Sequence, residues 1–422
     1  MELKIGQKVN LTSGGFVTIV KELGRGGQGI VYLVDLNGEK KALKWYLKSP
    51  DDKFYKNLQQ NILNGAPSDA FLWPEHLTER QYGSCGYVMK LRPTNYFEFG
   101  NYLLAKKSFS SYTAMLAAAM KICNGFMMLH RFGYSYQDLN DGNFFIDPNT
   151  GDVLICDNDN VMPQGEKSGI MGKARYMAPE IVAGGIPDKY SDRFSLTVIL
   201  FMLFYANHPF EGAKVVACPC MTETFEKRFY GSEALFIYDN DDNSNRPVRG
   251  IHTNVIRRWP AFPAKLREIF LQELSQERLK NPQTRLMEAQ WEKNISSIRD
   301  RLVRCPHCGE ETFVEYGDNP KCMDCGRAIN ANNILVIGNR EVVLTKKTKV
   351  YIDNDNYPDC EVVEHPQDSS QLLFKNISKA NWTAETPSGK IKLVEPNGLM
   401  PIKNGIKISF TNLHKGEFKT NL

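Results

Sequence analysis

The sequence lacks an apolar run long enough to cross a bilayer. Its longest, Leu196 to Ala206, is about half of the roughly 20 residues a crossing helix needs, so a buried helix is expected there. No apolar core follows Met1-Glu2-Leu3-Lys4, which argues against a secretory leader. A charge excess is also missing. Lys and Arg number 52 against 48 Asp and Glu, interleaved, so the net charge of +4 offers little pull toward nucleic acid or membrane. Nor is there a regular cysteine lattice of the secreted kind. Of ten cysteines, four form two CxxC pairs, while Cys85, Cys123, Cys156, Cys218, Cys220 and Cys360 are scattered, mostly in apolar settings. That usage fits a reducing, cytoplasmic setting. There is no internal repeat and no long disordered tract. Residues 239–249, crowded with Asp and Asn, are the best candidate for a mobile loop.

What is present is length and pattern. A chain of 422 residues with 42% hydrophobic content exceeds one core and suggests two or three domains. Short β-rich runs fill Val17 to Lys90 and include Val17–Val20, Ile30–Val34, Lys41–Lys44 and Tyr87–Met89. A helical interruption spans about Lys53 to Leu63. From Tyr112 to Phe132 apolar residues recur at three and four, which predicts a helix; others follow from Tyr190 and from about Thr284 to Leu302. Beyond Ala331 short strands alternate with Gly, Asn and Pro turns, the signature of an all-β domain of about 90 residues.

Gly24-Arg25-Gly26-Gly27-Gln28-Gly29 lies between two strands, where glycines let a backbone approach phosphates. Fifteen residues beyond Gly29 stands Lys44, placed on the third strand to reach phosphate oxygens. Tyr136-Gln137-Asp138-Leu139-Asn140-Asp141-Gly142-Asn143 comes next, then Asp157 in Cys156-Asp157-Asn158-Asp159. Ala178-Pro179-Glu180, Asp192-Arg193-Phe194-Ser195 and Arg285 complete the series.

This ordered set resembles the protein kinase family over about residues 14–302. The resemblance implies a bilobal α+β fold, with an N-lobe over 14–90 and a C-lobe over 91–302. It makes Asp138 the acceptor of the substrate hydroxyl proton, Asn143 and Asp157 the ligands of Mg2+ (or Mn2+), and Lys44 the phosphate cation. Gly24, Gly26, Gly29, Val31, Ala42, Met89 and Leu91 would frame the ATP cleft. Asp192 would brace the catalytic loop, and Arg285 would pair with Glu180. The APE-like motif favours Ser or Thr of a protein partner over a small-molecule acceptor.

Four departures from the family pattern matter. Aligning on Ile62-Leu63 puts Gln59 where a helix glutamate should hold Lys44, with Glu75 the nearby carboxylate alternative. Gln137 replaces an arginine that receives an activation-segment phosphate, and no Thr lies between Asp157 and Glu180, only Ser168 and Tyr176. Activity independent of activation-loop phosphorylation is therefore expected. Asn140 replaces a lysine and Lys173 a threonine, so Lys173 is either a relocated catalytic cation or a solvent-facing loop residue. Asn158-Asp159 replaces Phe-Gly. These changes keep a second reading open, a pseudokinase scaffold acting through its C-terminal region.

Cys305-Pro306-His307-Cys308-Gly309 and Cys322-Met323-Asp324-Cys325-Gly326 form two knuckles. Four thiolates suit a closed tetrahedral structural Zn2+, which predicts a zinc ribbon over 303–330; a redox dithiol is the lesser alternative. No basic-aromatic stripe accompanies it, so nucleic acid is not the expected partner. The last strands of residues 331–422 resemble forkhead-associated (FHA) domains, β-sandwiches that often bind phosphothreonine. The Ser-x-x-His of their binding loops is missing, so a signalling-partner module without phosphopeptide binding is expected. The three-part architecture resembles bacterial stress-response kinases.

Overall fold

The computed structural model describes residues 2–167, 172–314, 320–352 and 357–420. Ser168, on which part of the activation-segment expectation rests, lies outside them. The chain divides into two compact units. One holds Met1–Ser108, Lys121–Arg246 and Glu273–Ala289; the other holds Phe109–Met120, Pro247–Gln272 and Gln290–Leu422.

The first unit opens with a six-stranded antiparallel sheet: β1 (Lys8–Asn10), β2 (Phe16–Arg25), β3 (Gly29–Leu36), β4 (Glu39–Tyr46), β5 (Pro74–Leu77) and β6 (Gly86–Lys90), in the order β1-β2-β3-β4-β6-β5. β1 begins ahead of residue 14, and Leu3, Val9 and Leu11 contribute to the core. Successive side chains of a strand point to opposite faces. Leu43 and Trp45 of β4 therefore enter one cluster with Val17, Ile30 and Val88. Ala42 and Tyr46 enter the opposite one with Phe54, Leu58, Tyr87 and Met89. Helix α1 (Asp52–Asn64) closes that second face. Its N-cap Asp51 accepts from the Phe54 amide, and Gly65 ends it at φ 77°, a positive φ that suits glycine.

Downstream, the helix Lys189–Tyr205 starts on an Asp188/Ser191 capping box and is buried at every position from Ser191 to Tyr205. The expected buried helix is therefore there. Among the described residues, the helix Tyr112–Arg131 is long and apolar enough to cross a membrane by composition, yet 61% of its apolar window is buried inside the protein.

The expectation for 239–249 needs correction. Asp239 Oδ1 accepts from the Asp241 and Asp242 amides, and Arg246 donates to the Ile237 and Asp239 carbonyls. Asn245, fully buried, donates to Phe210 O at 2.6 Å and Leu235 O at 2.8 Å. Asp239 satisfies the loop's own backbone and Asn245 ties the loop to carbonyls outside it, so a composition that reads as mobile is held at Asp239 and at Asn245–Arg246.

In the second unit a hairpin of Leu302–Arg304 and Glu311–Phe313 leads into the cysteine knuckles. Glu311 accepts from the Thr113 amide at 2.9 Å and hydroxyl at 2.7 Å, and Phe313 packs against Tyr112 and Phe262. The all-β region has two antiparallel sheets. Six strands run in the order Arg340–Val343, Asn333–Ile337, Lys415–Thr420, Lys407–Ser409, Trp382–Glu385 and Ile391–Val394. Four run in the order Lys349–Val350, Cys360–His365, Asp368–Asn376 and Leu399–Pro401. A shared core of Val362, Phe374, Trp382, Ile408, Phe410 and Phe418 lies between them. Arg340 grips Asp300 with two bonds of 2.8 and 2.9 Å, joining this region to the turn after the last long helix.

Candidate functional site

Register decides which side chains share a face of the sheet. Val31 pairs with Lys44 and Ala42 with Met89 across neighbouring strands, and Ala42 and Lys44 are two apart on β4. All four therefore share one face of the sheet. Leu91 follows β6 and is 37% exposed. The glycines divide by role. A Cβ on Gly29 would sit 2.6 Å from Trp45 O, so packing requires glycine there. Around Gly24 and Gly26 nothing lies within 4 Å of an added Cβ, which leaves space above the hairpin.

Lys44 Nζ lies 2.8 Å from Asp157 Oδ1 and 2.8 Å from Asp159 Oδ2. Burial would strip its proton, but the carboxylates of Asp159 and Asp157 outweigh it and hold the amine's pKa above its ordinary value. The expected partner positions do not supply this. Gln59 is exposed on α1, whose buried residues are Phe54, Leu58 and Asn61. Glu75 binds Lys41 at 3.0 Å. Lys44 is thus held firmly, by a residue that sequence reasoning set aside as a lost glycine. The available signal was a second aspartate two positions after Asp157.

The residues of the loop 136–143 cluster tightly. Asn140 Oδ1 accepts from the Gly142 amide at 3.1 Å, and Asn143 Oδ1 accepts from the Asn140 amide at 2.7 Å. These reciprocal caps fix the turn Asp141–Asn143. Tyr136, buried, donates its hydroxyl to Cys156 O, tying this loop to the residue before Asp157. Lys173 Nζ lies 3.4 Å from Asn140 Oδ1, so the two exchanged positions do face each other. Burial and the nearby Asp157 carboxylate push the Asp138 carboxyl up to about 6, against the opposing pull of Lys173 and Asn140. A carboxylate poised there can accept a proton near neutral pH.

The donors suit a hard divalent ion. Asp157, in a left-handed conformation at φ 61°, leaves 48% of its side chain accessible. Asn143 Oδ1 keeps a second lone pair beyond its backbone bond.

Charge also supports the loop from beneath. Asp192 Oδ2 accepts from the Tyr136 amide at 2.7 Å and Oδ1 from the Gln137 amide at 3.3 Å. His130 bridges Asp192 at 3.1 Å and Glu288 at 3.0 Å, and Glu288 also takes Arg193 at 2.7 Å. Arg285 clamps Glu180 with bonds of 2.7 and 2.9 Å. His130 and Glu288 escaped the sequence reading because nothing local marks them.

In the second unit the sulfurs of Cys305, Cys308, Cys322 and Cys325 all lie within 4.8 Å of one another. The Cys305–Cys325 and Cys308–Cys322 sulfurs are 3.7 and 3.6 Å apart. A tetrahedral ion with zinc–sulfur bonds of about 2.3 Å would space its sulfurs by about 3.8 Å, so the cluster is compatible with zinc. Gly309 and Gly326, at φ 82° and 70°, make the tight returns behind each pair.

The protein kinase domain family matches residues 17–257, more than half of the chain, and the chain belongs to it. Protein kinase C delta type of Mus musculus is 31% identical over 208 residues, covering 46% of this chain and 30% of that protein. Serine/threonine-protein kinase Sgk1 of Xenopus tropicalis is 26% identical over 206 residues, covering 45% and 47%. A probable serine/threonine-protein kinase PknB of Corynebacterium glutamicum is 29% identical over 98 residues, covering 22% and 15%. The chain therefore spans about a third of the length of the first of these relatives.

The His130 network predicts a pH dependence of stability. Burial opposes its charge, but the hydrogen bonds it donates to the Asp192 and Glu288 carboxylates prevail and raise its pKa to about 9. A raised histidine stabilises fully below its unfolded value of about 6.5, and the gain is lost as pH rises through 9. Denaturant titrations should lose up to about 3 kcal/mol over that window. His130→Gln should flatten the slope; an unchanged slope would show that His130 is not its source.

Proposed function

We propose that this chain is a cytoplasmic protein kinase that transfers the γ-phosphate of ATP to Ser or Thr of a protein partner, with Mg2+ or Mn2+. The observation that carries the reading is the meeting of the Lys44–Asp157 pair with an Asp138 carboxylate held near 6, on a loop gripped by Asp192. The names of its relatives support Ser/Thr as the acceptor class. None of the ten cysteines is joined in a disulfide, which suits a reducing compartment.

Gly24 and Gly26 leave room for the triphosphate, Gly29 sets the hairpin, and Val31, Ala42, Met89 and Leu91 frame the base. Lys44 would bind phosphate oxygens; Asp157 and Asn143 would hold the divalent ion, which would neutralise charge on the transferring group. Asp138 orients the acceptor hydroxyl and takes its proton. Lys173, beside Asn140, supplies the positive charge that the catalytic loop itself lacks. Gln137 donates to Glu166 O at 2.6 Å, a neutral tether that supports independence from activation-loop phosphorylation.

One assay with labelled ATP tests these roles together. Asp138→Asn should lower turnover by about a thousandfold, within the range general-base removal reaches. Lys173→Ala should lower kcat at least tenfold with ATP affinity kept, and Ser168→Ala should change neither. Full turnover in Asp138→Asn would sink the kinase reading; wild type that binds ATP without transferring phosphate would instead support a nucleotide-binding scaffold.

The four cysteines are proposed to bind one structural Zn2+, in a ribbon leading to an FHA-like sandwich that recruits a signalling partner. Metal analysis should find one zinc per chain, lost in Cys308→Ser with a drop in melting temperature. Zinc-free protein of unchanged stability would refute the ribbon. Phosphothreonine peptides should bind no better than their unphosphorylated forms; a clear preference would make the sandwich a phosphopeptide reader.

A further inference from the structure

The two carboxylates on Lys44 differ in exposure and in what else they hold. Asp157 is half exposed, the state of a side chain that can turn to a metal; the Asp159 side chain is wholly buried. Its Oδ2 accepts from Lys44 Nζ at 2.8 Å and from the Tyr46 hydroxyl at 2.5 Å. The rings of Phe54 and Tyr87 flank Tyr46 at 5.6 and 6.4 Å, so the pair lies in an apolar setting where charge attraction is weakly screened.

We propose that Asp159 is the positioning residue that presents Lys44 to the nucleotide, doing from the metal-binding segment what a carboxylate on helix α1 would otherwise do. The inference rests on the reading that ATP and its metal occupy this cleft. Once Asp157 turns to the metal, Lys44 still needs a partner, because a buried ammonium without a counter-charge is strongly disfavoured. Among the described residues, Asp159 is the buried carboxylate bonded to it.

Helix α1 cannot compete for the task. Its buried positions carry Phe, Leu and Asn, and Gln59 faces away. The helix is tied instead to the same segment, since Asn57 and Asn61 donate to Val161 O at 2.9 and 3.0 Å. The turn between is fixed too. Asn158 donates to Leu72 O at 2.9 Å and Ile155 O at 3.0 Å. Residues 157–161 thus carry the metal carboxylate, the lysine's partner and the anchor of α1 on a single turn. The grip on phosphate and the grip on metal form as one unit, and the placement of α1 is not an independent switch for Lys44.

A merely structural buried aspartate would give the same picture, so the test separates ligand parts. Full-length wild type, Asp159→Asn, Tyr46→Phe and Gln59→Ala are titrated with Mg·ATP and with adenosine, which has no phosphates to meet Lys44, and their melting curves are compared. Asp159→Asn should weaken Mg·ATP by about 10- to 100-fold, the worth of a charged hydrogen bond, and leave adenosine affinity within about twofold. Gln59→Ala should change neither. If Asp159→Asn does not fold, Tyr46→Phe decides, with Mg·ATP weakened about threefold and adenosine unchanged. Unchanged Mg·ATP affinity in the deciding variant overturns the proposal, as does an equal loss of adenosine, which marks a structural role only. Wild type that binds both ligands yet transfers no phosphate removes the kinase reading and leaves this inference standing.

Discussion

A buried ammonium between two carboxylates organises this molecule. Lys44 is drawn out of water on a central strand, and Asp157 and Asp159, more than a hundred residues away in sequence, make that burial tolerable. The strand, the turn 157–161 and helix α1 therefore have to meet in one arrangement. Breaking such a pair costs far more than the pair itself contributes, because the remaining charge is left buried. That asymmetry makes the interaction a constraint on the fold as well as a feature of the site.

The loop 136–143 obeys a second constraint of the same kind. Backbone amides of Tyr136 and Gln137 have no strand or helix to satisfy them, and Asp192 takes both. Asp192 is itself balanced by His130, which shares Glu288 with Arg193. The network fixes loop geometry from below, while the Asn140–Asn143 caps fix it from within. Asp138 then occupies a site where burial and a neighbouring carboxylate set its proton affinity. Fully satisfied networks of this sort rigidify what they enclose.

Much of this was legible in the sequence because it is written in short spacings. The glycine hairpin, Lys44, the loop from Asp138 to Asn143 and the two cysteine knuckles are local patterns whose chemistry demands particular residue types. The Asp192 brace and the Glu180–Arg285 pair followed from the family resemblance, and both bonds are present. What escaped depends on contacts that spacing does not record. Gln59 was aligned through Ile62-Leu63, whereas the buried stripe of α1 follows Phe54, Leu58 and Asn61. Asp159 read as a missing glycine because its partners lie 113 and 115 residues away. Residues 239–249 read as mobile from composition, although Asn245 is sealed between two carbonyls. Local polarity cannot tell a solvated turn from one whose side chains close its own backbone.

The most direct measurement is a crystal structure of the chain with a non-hydrolysable ATP analogue and manganese, located by its anomalous scattering. The account predicts a manganese peak bridged by Asp157 and Asn143, with Lys44 on phosphate oxygens and still bonded to Asp159. A nucleotide bound elsewhere, or no nucleotide and no metal at saturating concentrations, would contradict it.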